Sequence, residues 1–549
     1  MRVLNGRWTP ICVAIILTIM RKNGLVDMID SRCRFDRKQR IITPGEAVLL
    51  IVGATVLRNR RIPLYKIGEQ YANMNLRGIL GRDITLENLS DSALGRALDT
   101  LYDLDRKQML WDISEKFEFD LGLLSRIYHL DQTKIRTYVA DEPPCDKDAA
   151  KPMFGIDKEK RTDFRLYSAN AITSEYKFIK FLDPQDGNKT DSEMDEDAIR
   201  FLIENVETDK STVITDSKGT TSRLCELMDE SGLGFVSKVP ENFSCNLRSR
   251  VGQIAFNEGW SASKKKGHRF IDIDMKVKPE DESADWRIFR IVAFQSEKML
   301  SDARASMIRK GKKISEKISK ELSGRCFESE SDAYSAVGTA LESLCDSGYS
   351  LKWEIVSEDV RIKREGKGRP PKNEAIRYRT VWKIRSVPVV DDEMVDLMTR
   401  RDSYQVLITN LPRPLDGEVC ETLRQGSEKE QVLKLYLNQY KQEHNFSLLK
   451  GKVGMAQVFF SKPERENVMI FVLGLAVLMR NLIDYRFSRE KGVFTTAQDM
   501  VDRWNLVRVR VIDRELEIDG AVDVENRFVD VMRRLGLDEG MIIDSIQMA

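Results

Sequence analysis

The sequence predicts an α/β protein: a helical N-terminal region, a sheet core with helices on its faces, and a mainly β insertion that interrupts the core. Three observations predict it. Apolar residues recur at three and four positions from about Thr43 to Lys107, the period of a helix with one buried face. From about Tyr128, short β-type runs alternate with amphipathic helical stretches, the rhythm of a mixed or parallel sheet covered by helices. Between about Glu241 and Arg400 that rhythm gives way to strand-like pieces and a charged helix. The expected divisions are a helical region at 1–120, core at 121–240, insertion at 241–400, the rest of the core at 401–485 and an appendix at 486–549.

Taken in order, Ile11 to Met20 is an apolar run after Arg2 and Arg7. At under the roughly 18 to 20 residues of a spanning helix it reads as buried, and Arg21 and Lys22 stand where a signal peptide has small residues. GEAVLLIVGATVL and SALGRALDTLYDL are helical, the second capped by Ser90 or Asp91. Between them RNRRIPLYKIGEQYANMNLRGILGR is basic and short of acid, as a helical DNA-binding region or a solvated bundle is. RIYHLDQTKI, FRLYSANAI and EYKFIKFL read as strands, with Gly187 and Asn188 in the turn region that follows. The helix EDAIRFLIENV, the strand STVITD, the helix TTSRLCELMDESG and the strand GFVSKVP continue the alternation.

The insertion carries HRFIDIDMKV, WRIFRIVAF, YSLKWEIV and YRTVWKIRSV as strands, a helix from about Glu297 to Ser323, and the loop KREGKGRPPKN. YQVLITN returns to strand. EKEQVLKLYLNQYKQEHNFSLLK reads as one helix, and SKPERENVMIFVLGLAVLMRNLIDY as another that opens with a Ser461–Glu464 capping box.

Charge and composition narrow the chemistry. Lys and Arg total 88 against 87 Asp and Glu, a net charge of +1, so any polyanion-binding surface is local. Eight scattered cysteines form no CxxC motif, which argues against a zinc or dithiol site and fits a reducing, cytoplasmic setting. Only His129, His268 and His444 occur, so a histidine-based hydrolase is disfavoured and carboxylate chemistry is the alternative. No membrane partner is expected.

Asp131 and Asp216 each end an apolar β run, where open α/β sheets gather their ligand sites. Tyr436, Glu443 and Lys450 are seven apart, so on one helix they share a face to within about 20 degrees per step. Three carboxylates can hold two Mg²⁺ or Mn²⁺ ions roughly 3.5 to 4 Å apart for phosphodiester cleavage and transfer. Acids at strand ends are also ordinary turn residues, and spacing alone leaves that alternative open.

These blocks resemble the insertion-sequence DDE transposases of the IS-four type, in the branch with a long N-terminal region and a Tyr-Arg-Glu-Lys signature. HLDQT is similar to the family's first-Asp strand, GIDKEKRTD (155–163) to the stretch after it, GNKTD (187–191) to its turn, and VITDSKGTTSRLCELMDESGLGFVSKVP to the second-Asp strand and its sequel. Tyr436, Gln439, Glu443 and Lys450 match the signature except that Gln stands at the Arg position. KPERENVMIFVLGLAVL resembles the helix after the catalytic one. The resemblance implies an RNase H-like core holding two metal ions on Asp131, Asp216 and Glu443, with Tyr436, Gln439 and Lys450 toward DNA. It also implies a β-rich insertion before the Glu helix, transposon ends and target DNA as partners, and a homodimer assembled on DNA. A decayed DNA-binding remnant, or a nuclease without strand transfer, is the alternative.

GKGRPPK, with Lys367, Arg369 and Lys372, resembles the core of an AT-hook, which enters a narrow minor groove. Some DNA contact is the favoured reading, and a basic loop at a hairpin tip is the alternative. IRKGKKISEKISKEL is a basic helix able to track phosphates, or a solvated face. His129 and His444 beside the acids read as polar neighbours.

Overall fold

The computed structural model describes residues 9–38, 40–58, 62–72, 76–80, 82–137, 148–155, 165–217, 219–262, 267–279, 285–362, 377–413, 429–439, 445, 462–504, 506–519 and 522–547. Two compact units divide the chain. The first takes Met1–Ser237 and Thr409–Ala549 with the short stretch Pro279–Asp281, the second Lys238–Lys278 and Glu282–Ile408.

The first unit starts with β1 (Thr9–Pro10), α1 (Ile11–Lys22), α2 (Leu25–Asp30), α3 (Pro44–Arg58), α4 (Ile67–Gln70), α5 (Leu76–Leu80), α6 (Asp91–Tyr102) and α7 (Arg106–Asp120). The cap of α6 is Ser90, whose side chain accepts from the Ala93 N–H, satisfying one of the orphan donors of a helix start. Ile11 to Met20 are all buried.

There follow β2 (Ile127–Thr137), β3 (Met153–Phe154), β4 (Arg165–Ser174), β5 (Ile179–Gln185), α8 (Asp191–Asn205), β6 (Thr212–Thr215), α9 (Ser222–Glu230) and β7 (Gly234–Lys238). β4 runs antiparallel to both β2 and β5, whereas β6 runs parallel to both β2 and β7. The order β5-β4-β2-β6-β7 results, with β3 beside the start of β4. The helix between β5 and β6 supplies the crossover that two parallel strands require.

The second unit holds α10 (Leu247–Glu258), β8 (Ser261–Ala262), β9 (His268–Val277), β10 (Arg287–Ser296), α11 (Glu297–Ser323), β11 (Cys326–Phe327), α12 (Glu330–Leu344), β12 (Tyr349–Arg361), β13 (Tyr378–Val390), α13 (Asp392–Asp402) and β14 (Gln405–Thr409). Its strands are ordered β14-β10-β9-β8 in one sheet and β11-β13-β12 in another. The expected strands are present, but the region is mixed α/β and not mainly β, since its described helices hold more residues than its strands. The sequence reading expected one helix here and passed over α10, α12 and α13; α12 buries Ala333, Val337, Ala340 and Leu344, a helical stripe that is half alanine and therefore faint on a hydrophobicity reading.

The chain then completes the first unit with α14 (Lys429–Leu437), α15 (Pro463–Ser488), α16 (Ala497–Trp504), β15 (Arg508–Ile512), β16 (Glu515–Asp519), α17 (Val522–Leu535) and α18 (Glu539–Gln547). Two expectations change here. The helix around Tyr436 stops at Leu437, because Asn438 donates to both the Lys434 and Leu435 carbonyls and Gln439 to Tyr436 in a tightened last turn; a shared N–H of this kind marks a helix terminus. The cap of α15 is Lys462 with Pro463 as its first residue, so Glu464 is one position early for the expected capping box. Pro serves there because the first helical N–H has no intrahelical partner to lose.

One apolar core runs through the first unit from Ile11 to Ile542. The three-stranded sheet β1-β15-β16 joins the start of the described chain to its end. The N-terminal helices and the C-terminal appendix are thus parts of one unit with the sheet, where separate domains were expected. α15 is long and apolar enough to cross a membrane, and 89% of its apolar window is buried inside the protein.

Candidate functional site

Parallel pairing of β2 with β6 aligns Leu130 with Thr215. Asp131, within β2, and Asp216, just past the end of β6, follow these two residues directly, where neighbouring strands run about 4.8 Å apart. Matching register along parallel strands also gives both side chains the same face of the sheet. Sequence reading singled out both acids, and folding brings them together. Both are partly exposed.

The acids are tied locally. Asp131 Oδ1 accepts the Gln132 backbone N–H at 2.7 Å. Asp216 Oδ1 lies 3.4 Å from the Tyr436 hydroxyl, which donates to it, and the Asp216 carbonyl accepts from Thr220 Oγ1 at 3.0 Å. Tyr436 is thereby at the site. Gln439 lies in the turn that ends α14. His129 is fully buried within β2, opposite Thr173 and beside Ile214, in keeping with a polar neighbour.

Other expectations fall outside the described residues. Glu443, His444 and Lys450 are there, and so is the shared helical face proposed for Tyr436, Glu443 and Lys450. Lys367, Arg369 and Lys372 are there too, between the paired arms β12 and β13, whose last described rungs are Arg361 with Tyr378 and the Ile362 N–H with the Arg377 carbonyl.

Two groups that sequence reading passed over, Asn445 and Asp195, flank the acids. Asn445 is fully buried, donates to Thr173 Oγ1 and the Lys177 carbonyl at 3.0 Å each, and accepts from Asn481 of α15 at 2.9 Å. Thr173 sits opposite His129, so Asn445 meets the sheet face that carries Asp131. On the other face, Asp195 of α8 is 4% exposed and accepts from Gln132 Nε2 at 2.7 Å and Asn170 Nδ2 at 3.4 Å. Burial raises its carboxyl to about 7, a rise that the Gln132 hydrogen bond opposes and the Asp191 and Asp131 charges reinforce. A signal for Asp195 exists in the sequence: it falls within the apolar stripe Met194, Ala198, Ile199 and Leu202 of α8. For Asn445 no comparable signal exists.

Two adjacent carboxylates suit a hard divalent cation, which takes oxygen ligands and keeps several waters. Among the described residues no three His, Cys, Asp or Glu side chains gather closely enough to hold a metal, so a complete three-acid site needs a ligand from beyond them.

A family model described as a domain of unknown function, DUF4277, matches residues 12–115, the stretch from α1 into α7. No curated protein matches the chain.

Proposed function

We propose that this chain is a DNA transposase of the DDE type, with an RNase H-like core, acting on double-stranded DNA with two Mg²⁺ or Mn²⁺ ions. The observation that carries this reading is the alignment of Leu130 with Thr215 on parallel strands, from which Asp131 and Asp216 emerge side by side. An antiparallel β2-β4-β5 run continued by parallel β6 and β7 supports the RNase H-like part. Asn445 supports Glu443 as the third acid, because two residues of chain span at most ~7 Å and Asn445 is anchored beside the strand of Asp131.

Bound metal ions supply an activated water or 3′-hydroxyl and stabilise the leaving oxygen. Asp131, Asp216 and Glu443 hold the ions in this reading. The Tyr436 hydroxyl orients the Asp216 carboxylate, and Lys450 neutralises phosphate near the scissile bond. Gln439 and the basic segment with Lys367, Arg369 and Lys372 contact DNA away from the chemistry. No covalent enzyme intermediate is required, and two copies assemble on a pair of transposon ends.

The test is cleavage of labelled DNA carrying the element's own terminal repeats, with Mg²⁺ or Mn²⁺, by the wild type and by Glu443→Gln. Metal-dependent 3′ nicking that disappears in the variant is the expected result. Nicking at the wild-type rate by the variant removes Glu443 from the site, and repeat binding without nicking by the wild type replaces the proposal with a decayed DNA-binding protein.

A further inference from the structure

Asp195 lies behind the sheet from the paired acids, yet it touches the segments that follow both of them. Its Oδ1 accepts from Gln132 Nε2 at 2.7 Å, and the same Gln132 donates its backbone N–H to Asp131 Oδ1 at 2.7 Å. Gln132 Nε2 also donates to the Asp191 carbonyl at 2.7 Å, so its side chain is held at two points of α8. On the Asp216 side, a Cβ built on Gly219 would stand 1.5 Å from Asp195 Oδ2 and 2.5 Å from its Cγ. Gly219 therefore rests directly on the carboxylate, which any side chain at this position would have to push aside. The next residue, Thr220, folds back to donate to the Asp216 carbonyl at 3.0 Å.

We infer that Asp195 is a positioning residue that sets the spacing of the two metal-binding aspartates, through Gln132 on the Asp131 side and through Gly219 and Thr220 on the Asp216 side. The inference rests on the metal-binding reading of Asp131 and Asp216. Partners that orient ligands from behind are a large part of what a metal site needs, because ligand spacing sets affinity for an ion with strict geometry. A burial of this kind serves that purpose well: the carboxylate has no solvent path by which to swing away, and Asn170 supplies a second donor to the same oxygen at 3.4 Å.

The experiment is a Mn²⁺ titration of the full chain without DNA, following free Mn²⁺ by electron paramagnetic resonance. Gln132→Met removes the donor on one side, Gly219→Ala forces the contact apart on the other, and Asp195→Asn keeps both the volume and an acceptor oxygen. Gln132→Met and Gly219→Ala each weaken Mn²⁺ binding by ~10–100-fold, while Asp195→Asn stays within about threefold of wild type. In DNA nicking the Mn²⁺ midpoint of the first two variants moves by the same factor, with the rate at saturating Mn²⁺ little changed.

Asp131→Asn separates the two levels of the inference. Loss of Mn²⁺ binding in Asp131→Asn with wild-type binding in both Gln132→Met and Gly219→Ala overturns the positioning role and leaves the metal site standing. Wild-type Mn²⁺ binding in Asp131→Asn overturns the metal site, and the positioning role with it. Should one of the two positioning variants fail to fold by circular dichroism, the other decides alone, since each acts on a different side of Asp195.

Discussion

Asp131 and Asp216 keep partial contact with water, whereas Asp195 behind them has almost none, and this difference in solvation divides their roles. The partly exposed pair can take up a cation without the desolvation cost of a fully buried site. Asp131→Asn and Asp216→Asn are each expected to lower metal-dependent nicking by more than ~100-fold, beyond the range for outer partners, while gel-shift binding to terminal repeats stays close to wild type. Normal nicking by either variant would remove that residue from the site. Asp195 has the opposite balance. Its carboxyl titrates at about 7 when folded because burial penalises the charge, but near 4 when unfolded. The unfolded chain thus releases this proton first as pH rises. The stability tied to Asp195 is full below about pH 4, falls through pH 7 and is level above it. Asp195→Asn has no such titration, so its melting temperature should gain on wild type by several degrees between pH 5 and pH 8, since two pH units of differential protonation are worth about 2–3 kcal/mol. A difference that is constant across that range would contradict the raised value.

At the scale of elements, α3 and α15 are packed by close approach, with few charged groups on their buried lengths. α15 is buried on nearly all sides, with Val468 to Met479 excluded from solvent. Its Glu466 accepts from Thr137 Oγ1 at 3.1 Å and from the Tyr167 hydroxyl, which ties the helix to the far ends of β2 and β4. In α3, Gly53 lets Tyr71 and Leu17 approach: a Cβ there would be 2.8 Å from Tyr71 Oη and 3.2 Å from Leu17 Cδ2. Tyr71 is fully buried and donates to the Leu50 carbonyl at 2.8 Å. Gly53→Val should therefore cost ~2–3 kcal/mol through overpacking, read as a lower urea midpoint with an unchanged slope. An unchanged midpoint would mean that α1 and Tyr71 can move aside freely.

At the scale of the whole chain, the first unit is closed by its two ends. β1 pairs with β15, and buried residues of the last helices, Val531, Met532, Leu535 and Ile542, belong to the same core as Ile11 to Met20. A chain ending at Tyr485 leaves the α1 side of that core without its cover. Such a truncation should lose its cooperative thermal transition and bind ANS strongly, as exposed apolar surface does. Retention of a sharp transition at the wild-type temperature would show the appendix to be dispensable. Attempts to isolate the N-terminal helices meet the same obstacle, because residues 12–115 share their core with α15 through α18.

Hydrophobic period and local chemistry were enough, from sequence, for the strands that bear Asp131 and Asp216, the buried nature of Ile11 to Met20, the long helix α11 and the Ser90 cap, since each depends on residues within a few positions of one another. The alanine-based stripe of α12 was not legible that way, nor was the end of α14 at Leu437. Asp195 announced itself only as an acid inside an apolar stripe, and Asn445 not at all, because its partners Thr173, Lys177 and Asn481 are distant in the chain. Tertiary structure alone decided that Leu130 aligns with Thr215, that Gly219 lies on Asp195, and that both ends of the chain share one core. The physical reason is the same in each case: strand register and close packing are settled by which surfaces meet, and a periodic pattern states which face is buried without stating against what.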